Sequence, residues 1–148
     1  MSDHSQHLDG APLGNVVDYI DRYAPELLYP IPRAPQREGL GLAPEQPLPF
    51  VGADLWNAYE LSWLNPRGKP VVAIGKLRVP ANSTSIIESK SLKLYFNSFA
   101  QTTFASLEEV QAAMTRDLSA AAGASVAVFL WEVSALPARP LNNFGGIL

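Results

Sequence analysis

One acid, two serines and two lysines fall within six residues of the stretch IESKSLKLYFNSF, from Ile87 to Phe99. Glu88 follows the apolar pair Ile86-Ile87, and Leu92, Tyr95, Phe96 and Phe99 then recur at i, i+3, i+4 and i+7. That pattern is the end of a strand running into a helix with one apolar face. Lys90 and Lys93 therefore sit at the start of a helix, where its dipole already places about half a positive charge and cations are unfavourable. The same turn carries free backbone N–H groups, which form a ready anion site. Together with the hydroxyls of Ser89 and Ser91 and the two ammonium groups, they suit a phosphate or another polyanion. The plainer alternative is a solvated helix face. Glu88 also has two readings. It is either the carboxylate that caps the helix, or one that accepts a pair of N–H donors from a planar ligand such as a guanine-like edge. The local sequence is compatible with both.

Composition removes many other chemistries. The chain of 148 residues contains no cysteine, so disulfides, thiolate metal sites and a cysteine nucleophile are excluded. Its two histidines, His4 and His7, lie in the polar N-terminal stretch MSDHSQHLDG, which reads as a tail. This leaves no histidine for a zinc site or general base inside the fold. Net charge is −3, so there is no basic excess to attract nucleic acid. No apolar run is long enough to span a membrane and no signal-peptide core is visible, which makes the cytoplasm the expected location. Charged residues make up only 17% of the chain, which points to surface covered by a partner module or another copy.

The elements that must position the cluster are legible from residue 51 onward. Eight of the 13 prolines lie in residues 1–50, which read as a mobile tail followed by an arm laid over a domain surface. A short helix over Val16–Tyr23 is suggested by Val16, Val17, Ile20 and Tyr23. In LWNAYELSWL, Tyr59, Leu61 and Trp63 alternate with Ala58, Glu60 and Ser62, predicting a half-buried strand. Asn65-Pro66-Arg67-Gly68 predicts a turn, and VVAIGKLRV from Val71 to Val79 the second arm of an antiparallel hairpin. Glu60, Lys76 and Arg78 read as ordinary charges on the sheet surface, and Trp56, Trp63 and Trp131 as packing residues. A second helix is predicted from Ser106, with Ser106 and Glu109 as a capping box, Leu107, Val110, Met114 and Leu118 on one face, and Gly123 as its stop. ASVAVFLWEV, from Ala124 to Val133, predicts a third strand. The order strand, strand, helix, helix, strand implies an α+β domain with two helices on one face of an antiparallel sheet.

The run LPFVGADLWNAYELSWLNPRGKPVVAIG followed by IESKSLKLYFNSFAQTTF resembles the N-terminal half of the two-module nitrile reductases known as QueF, the NADPH-dependent 7-cyano-7-deazaguanine reductases of queuosine biosynthesis. Glu88-Ser89-Lys90-Ser91-Leu92-Lys93-Leu94-Tyr95 matches the family signature, and the arm, with LGNVVDYIDRY and GLGL, fits as well. The resemblance extends over about residues 12 to 146. It implies a tunnelling fold (T-fold), in which antiparallel sheets of several modules join into a barrel with helices outside and sites at module interfaces. It implies that Glu88 and Ser89 hold the deazaguanine base, and that Ser89, Lys90, Ser91 and Lys93 belong to the NADPH-binding segment. The lysines would then stand at a positive helix end because an anionic cofactor comes close to it. The family reaction needs a cysteine that forms a thioimide with the nitrile, an aspartate acid and a His-Glu pair, all in the second half of two-module members. The expectation is therefore an arm over residues 1–50, a T-fold module over residues 51–148 and a separate catalytic module. No nucleophile is assigned in this chain, and the functional partners expected are that cysteine-bearing module, in cis or trans, and further copies of the chain. A stand-alone binding or scaffold module for a purine-like ligand is the alternative.

Overall fold

The computed structural model describes residues 10–16, 18 and 20–136. Its central unit is a three-stranded antiparallel sheet of order β2-β3-β5, with β2 at Ala53–Leu64, β3 at Pro70–Pro80 and β5 at Ala127–Glu132. The predicted hairpin is present: Leu64 pairs with Pro70. In its turn the Asn65 side chain accepts from the amides of Arg67 and Lys69 at 2.9 and 3.0 Å. Gly68 takes φ +75°, which a side chain would resist. The third strand starts at Ala127 rather than Ala124, because the preceding residues complete the end of the helix before it. Two helices, α2 at Ser89–Asn97 and α3 at Leu107–Ala122, pack with the inner face of the sheet around one core. Leu61, Trp63, Leu77, Tyr95, Phe99, Val110, Met114 and Leu118 are nearly or fully buried in it. Burying that apolar surface is the main stabilising term of the fold.

Two local signals of α3 behave as their residues dictate. Ser106 caps the helix, accepting from the Glu109 amide at 3.2 Å, and Glu109 reaches back to the Ala105 amide at 2.6 Å. The reciprocal bond thus falls one residue before the expected one. Gly123 ends the helix at φ +66°, and a Cβ there would lie 2.9 Å from the Thr84 hydroxyl.

Strand β2 departs from simple alternation. Its register with β3 shifts between Ala58 and Leu61, a β-bulge. Ala58, Leu61 and Trp63 all face the core, while Tyr59 and Glu60 are both exposed. The expected grouping of Tyr59 with Leu61 and Trp63 is therefore incorrect, since the extra residue of the bulge reverses the side-chain phase.

The proline-rich arm contributes regular structure. It holds a 3-10 turn at Pro25–Leu27, the strand β1 at Pro30–Pro32 and a five-residue helix α1 at Ala34–Glu38. Strand β1 pairs antiparallel with β4, Ser85–Ile87, to form a separate two-stranded sheet. The suggested helix over Val16–Tyr23 is not observed among the described residues of that segment, Val17 and Tyr19 lying outside them. Its end is committed elsewhere: the Tyr23 amide donates to Thr102 Oγ1 at 2.8 Å, the Ala24 amide to Ser98 Oγ at 3.2 Å and the Tyr29 amide to Ser91 Oγ at 3.0 Å. Three hydroxyls along and just beyond α2 thus replace the hydrogen bonds the arm backbone would otherwise make to itself. Ala24 is fully buried in this contact.

A polar cluster fixes the same segment from its side chains. Asp117 on α3 accepts from the hydroxyls of Tyr23 and, at 2.8 Å, Tyr95, and the Arg116 guanidinium meets its other oxygen at 3.0 Å. Arg116 also donates to the Tyr23 hydroxyl at 2.8 Å. The Tyr23 ring stands edge-on to Phe99 and Phe104, with centroids 5.0 and 5.8 Å apart.

Candidate functional site

The cluster from Glu88 to Lys93 lies where three elements meet: the end of β4, the start of α2 and the arm. Glu88 is the N-cap of α2. Its Oε1 accepts from the Lys90 amide at 2.8 Å and its Oε2 from the Ser91 amide at 2.7 Å. Its own amide donates to the Tyr29 carbonyl at 2.9 Å, which ties it to the arm. Ser91, fully buried, closes the arrangement: its hydroxyl donates to the Glu88 carbonyl at 2.7 Å and accepts from Tyr29. Glu88 is only 4% exposed, so its carboxylate is held in one orientation by its own helix. The capping reading is therefore realised. It does not exhaust the side chain, since a carboxylate has about four acceptor sites and only two short bonds are made. The Ser89 hydroxyl approaches at 3.4 Å, a weak contact.

The two lysines are placed differently. Lys90 lies in the first turn and its ammonium donates to the Asn15 carbonyl of the arm. Lys93 lies one turn later, is exposed, and has no hydrogen-bond or ion-pair partner among the described residues. Of the two, Lys93 is the one whose charge is left available.

Two concavities flank the start of α2 and share Trp56 and Ser89. One is a slot of about 290 Å³ lined by Ala11, Leu13, Ile31, Trp56, Ile86, Ile87, Glu88 and Ser89. Its walls are apolar, and Glu88 and Ser89 supply its polar end. The arm contributes Ala11, Leu13 and Ile31, a wall that local sequence did not reveal. The other is a cleft of about 320 Å³ between β2 and α2, with Asn57, Tyr59, Glu60, Lys93, Phe96 and Asn97 around Trp56 and Ser89. Their volumes fall close to the lower limit of about 300 Å³ seen for small-molecule sites. The first suits a flat heterocycle with N–H groups at one edge. The second suits an amphipathic group that carries an anion. Trp56, expected to be a packing residue, is half-buried and forms part of both walls. Among the described residues there is no grouping of three or more acidic or histidine side chains that would hold a metal, and no helix is long and apolar enough to cross a membrane.

Comparison with known proteins shows the family. The family model described as nitrile reductase, 7-cyano-7-deazaguanine-reductase N-term, matches residues 19–130. The chain is 58% identical over 138 residues to an NADPH-dependent 7-cyano-7-deazaguanine reductase of Dechloromonas aromatica, covering 93% of this chain and 48% of that protein. It is 57% identical over 145 residues to the reductase of the same name from Aromatoleum aromaticum, covering 98% of this chain and 51% of the relative. With that of Burkholderia thailandensis it shares 58% identity over 120 residues, 81% of this chain and 43% of the other. The chain spans about half the length of the curated relatives it matches. By the extent of the family match and the level of these identities, the chain belongs to the QueF nitrile reductases and corresponds to their N-terminal domain.

Proposed function

We propose that this chain is the substrate- and cofactor-binding module of an NADPH-dependent 7-cyano-7-deazaguanine reductase, converting a nitrile to an amine for a modified tRNA base. The observation that carries the reading is the apolar slot whose lining includes Glu88, a residue held rigidly as the cap of α2. A deazaguanine ring fits between Trp56 and the arm residues Leu13 and Ile31, and its N–H edge meets Glu88, with the Ser89 hydroxyl beside it. Burial of the flat ring supplies affinity, and the charged acceptor supplies specificity for a donor pair.

The residues of the second cleft fit part of a dinucleotide. Lys93 offers an unpaired ammonium and Ser89 a hydroxyl, whereas the Lys90 and Ser91 amides at the start of α2 already donate to the Glu88 carboxylate and are not the free anion site that the sequence suggests. Lys90 and Ser91 belong to the same turn, although Ser91 is buried and acts through Glu88 and the arm. When bound, NADPH supplies the hydride for the nitrile carbon. With no cysteine in the chain, the nucleophile that activates the nitrile has to come from a second module, in cis or in trans. The outer face of the sheet supports assembly with such a module or with further copies. Leu55, Val72 and Phe129 are 60, 52 and 48% exposed there, and among the described residues β2 and β5 are the edge strands of their sheet.

The test is NADPH oxidation in the presence of 7-cyano-7-deazaguanine. The chain alone is expected to give no turnover proportional to its concentration, and addition of a cysteine-bearing C-terminal half is expected to restore it. Turnover by the pure chain would contradict the division of labour.

A further inference from the structure

The cleft between β2 and α2 contains a carboxylate and an ammonium that do not neutralise each other. Glu60 and Lys93 both line it, and neither has a hydrogen-bond or ion-pair partner among the described residues. Regular alternation from Ala58 would turn residue 60 toward the core. The bulge between Ala58 and Leu61 instead leaves Tyr59 and Glu60 both outside and returns Leu61 to the core. The irregularity thus re-aims one carboxylate into a concavity, a recurrent use of bulges beside sites. The rest of the lining is aromatic (Trp56, Phe96, Tyr59) or amide (Asn57, Asn97).

This charge pattern restricts the ligand. A purely anionic group is opposed by Glu60 and a purely cationic one by Lys93. A ligand with hydroxyl donors at one point and an anion at another satisfies both, and a nucleotide has that layout. We infer that the cleft takes the nicotinamide nucleotide half of the cofactor. Glu60 accepts from the ribose hydroxyls, Lys93 meets a phosphate, and the ring lies against Trp56 and Phe96. Carboxylate recognition of a ribose diol is an established mode in other dinucleotide sites. The adenosine ribose of NADPH carries a 2′-phosphate, which Glu60 would repel, so the nicotinamide ribose is the one that fits. This assignment makes Glu60 a cofactor-binding residue and rests on the cofactor reading above.

The experiment is calorimetric titration of the chain and its Glu60→Gln variant with NADPH, and separately with adenosine 2′,5′-bisphosphate, which lacks the nicotinamide ribose. Glu60 is exposed, so the variant is expected to keep the parent melting temperature. NADPH affinity is expected to fall five- to tenfold in Glu60→Gln, with bisphosphate affinity unchanged. Equal NADPH affinity in the two proteins overturns the role of Glu60 while leaving the cofactor reading intact. An equal loss for both ligands overturns the assignment to the nicotinamide ribose. No NADPH binding by the parent chain overturns the cofactor reading, and this inference falls with it.

Discussion

Replacing Glu88 by alanine is expected to weaken binding of 7-cyano-7-deazaguanine by a hundredfold or more, and to lower stability by about 1–2 kcal/mol. The two effects have separate origins. The stability loss comes from the cap, because the Lys90 and Ser91 amides lose their acceptors at 2.8 and 2.7 Å, and the Ser91 region is buried. The affinity loss comes from removing a charged acceptor that is already oriented, so no ordering cost accompanies binding. Glu88→Gln separates them. Its amide oxygen retains one of the capping bonds, while its NH2 group presents donors where the ligand also presents donors. The glutamine variant is expected to recover part of the melting temperature and little of the affinity. Thermal unfolding and calorimetry on the three proteins provide the check. A Glu88→Ala protein that loses stability but binds the base normally would reduce Glu88 to a helix cap.

Replacing Asp117 by alanine is expected to give the largest stability loss of any polar substitution considered, about 2–3 kcal/mol. The Tyr95 hydroxyl would be left buried without an acceptor, and Tyr23 would keep only its bond from Arg116. Because Tyr23 anchors the arm and the arm forms one wall of the slot, the effect should extend through the arm to the base site; the local readout is faster hydrogen exchange at the Tyr29 and Glu88 amides. The same cluster predicts an alkaline limit to stability. Burial, with Asp117 alongside, pushes the Tyr23 hydroxyl up to about 12 from an ordinary value near 10. Tyr95 is raised further in the same direction, again chiefly by burial and then by Asp117. Tyrosines whose folded pKa is raised stabilise the protein fully below about 10, and that contribution is lost as pH climbs through 10 to 12. Urea midpoints measured from pH 8 to 12 should therefore fall above pH 10 and fall less steeply in Tyr23→Phe. A midpoint independent of pH over that interval would contradict the buried-hydroxyl account.

The elements that could be read from sequence are those whose determinants are local. The hairpin turn at Asn65–Gly68, the Ser106 cap, the Gly123 stop and the apolar face of α2 each depend on residues within a few positions of one another. The bulge in β2 depends on how β3 lies beside it, so Ala58 and Tyr59 exchange the faces that simple alternation predicts, while Glu60 is exposed as a surface charge should be. The arm was illegible for a different reason. Its backbone is held by Ser91, Ser98 and Thr102, more than 60 positions away, and a serine or threonine along or just beyond a helix gives no sign of which amide it will meet. The site divides in the same way. The strand-to-helix junction that gathers Glu88, Ser89, Lys90, Ser91 and Lys93 is legible in their types and spacing. Which lysine stays available, and which apolar residues make the walls, depended on the arm.

This chain is expected to bind the deazaguanine base in the slot between Trp56 and the arm, with Glu88 at one end. The direct measurement is an amide and indole chemical-shift map of the isotope-labelled chain during titration with 7-cyano-7-deazaguanine. Saturable shifts are expected at Glu88, Ser89 and Lys90, at Ala11, Leu13 and Ile31, and at the Trp56 indole, with the far end of α3 unmoved. The absence of saturable shifts, or shifts confined to another face of the molecule, would contradict the account.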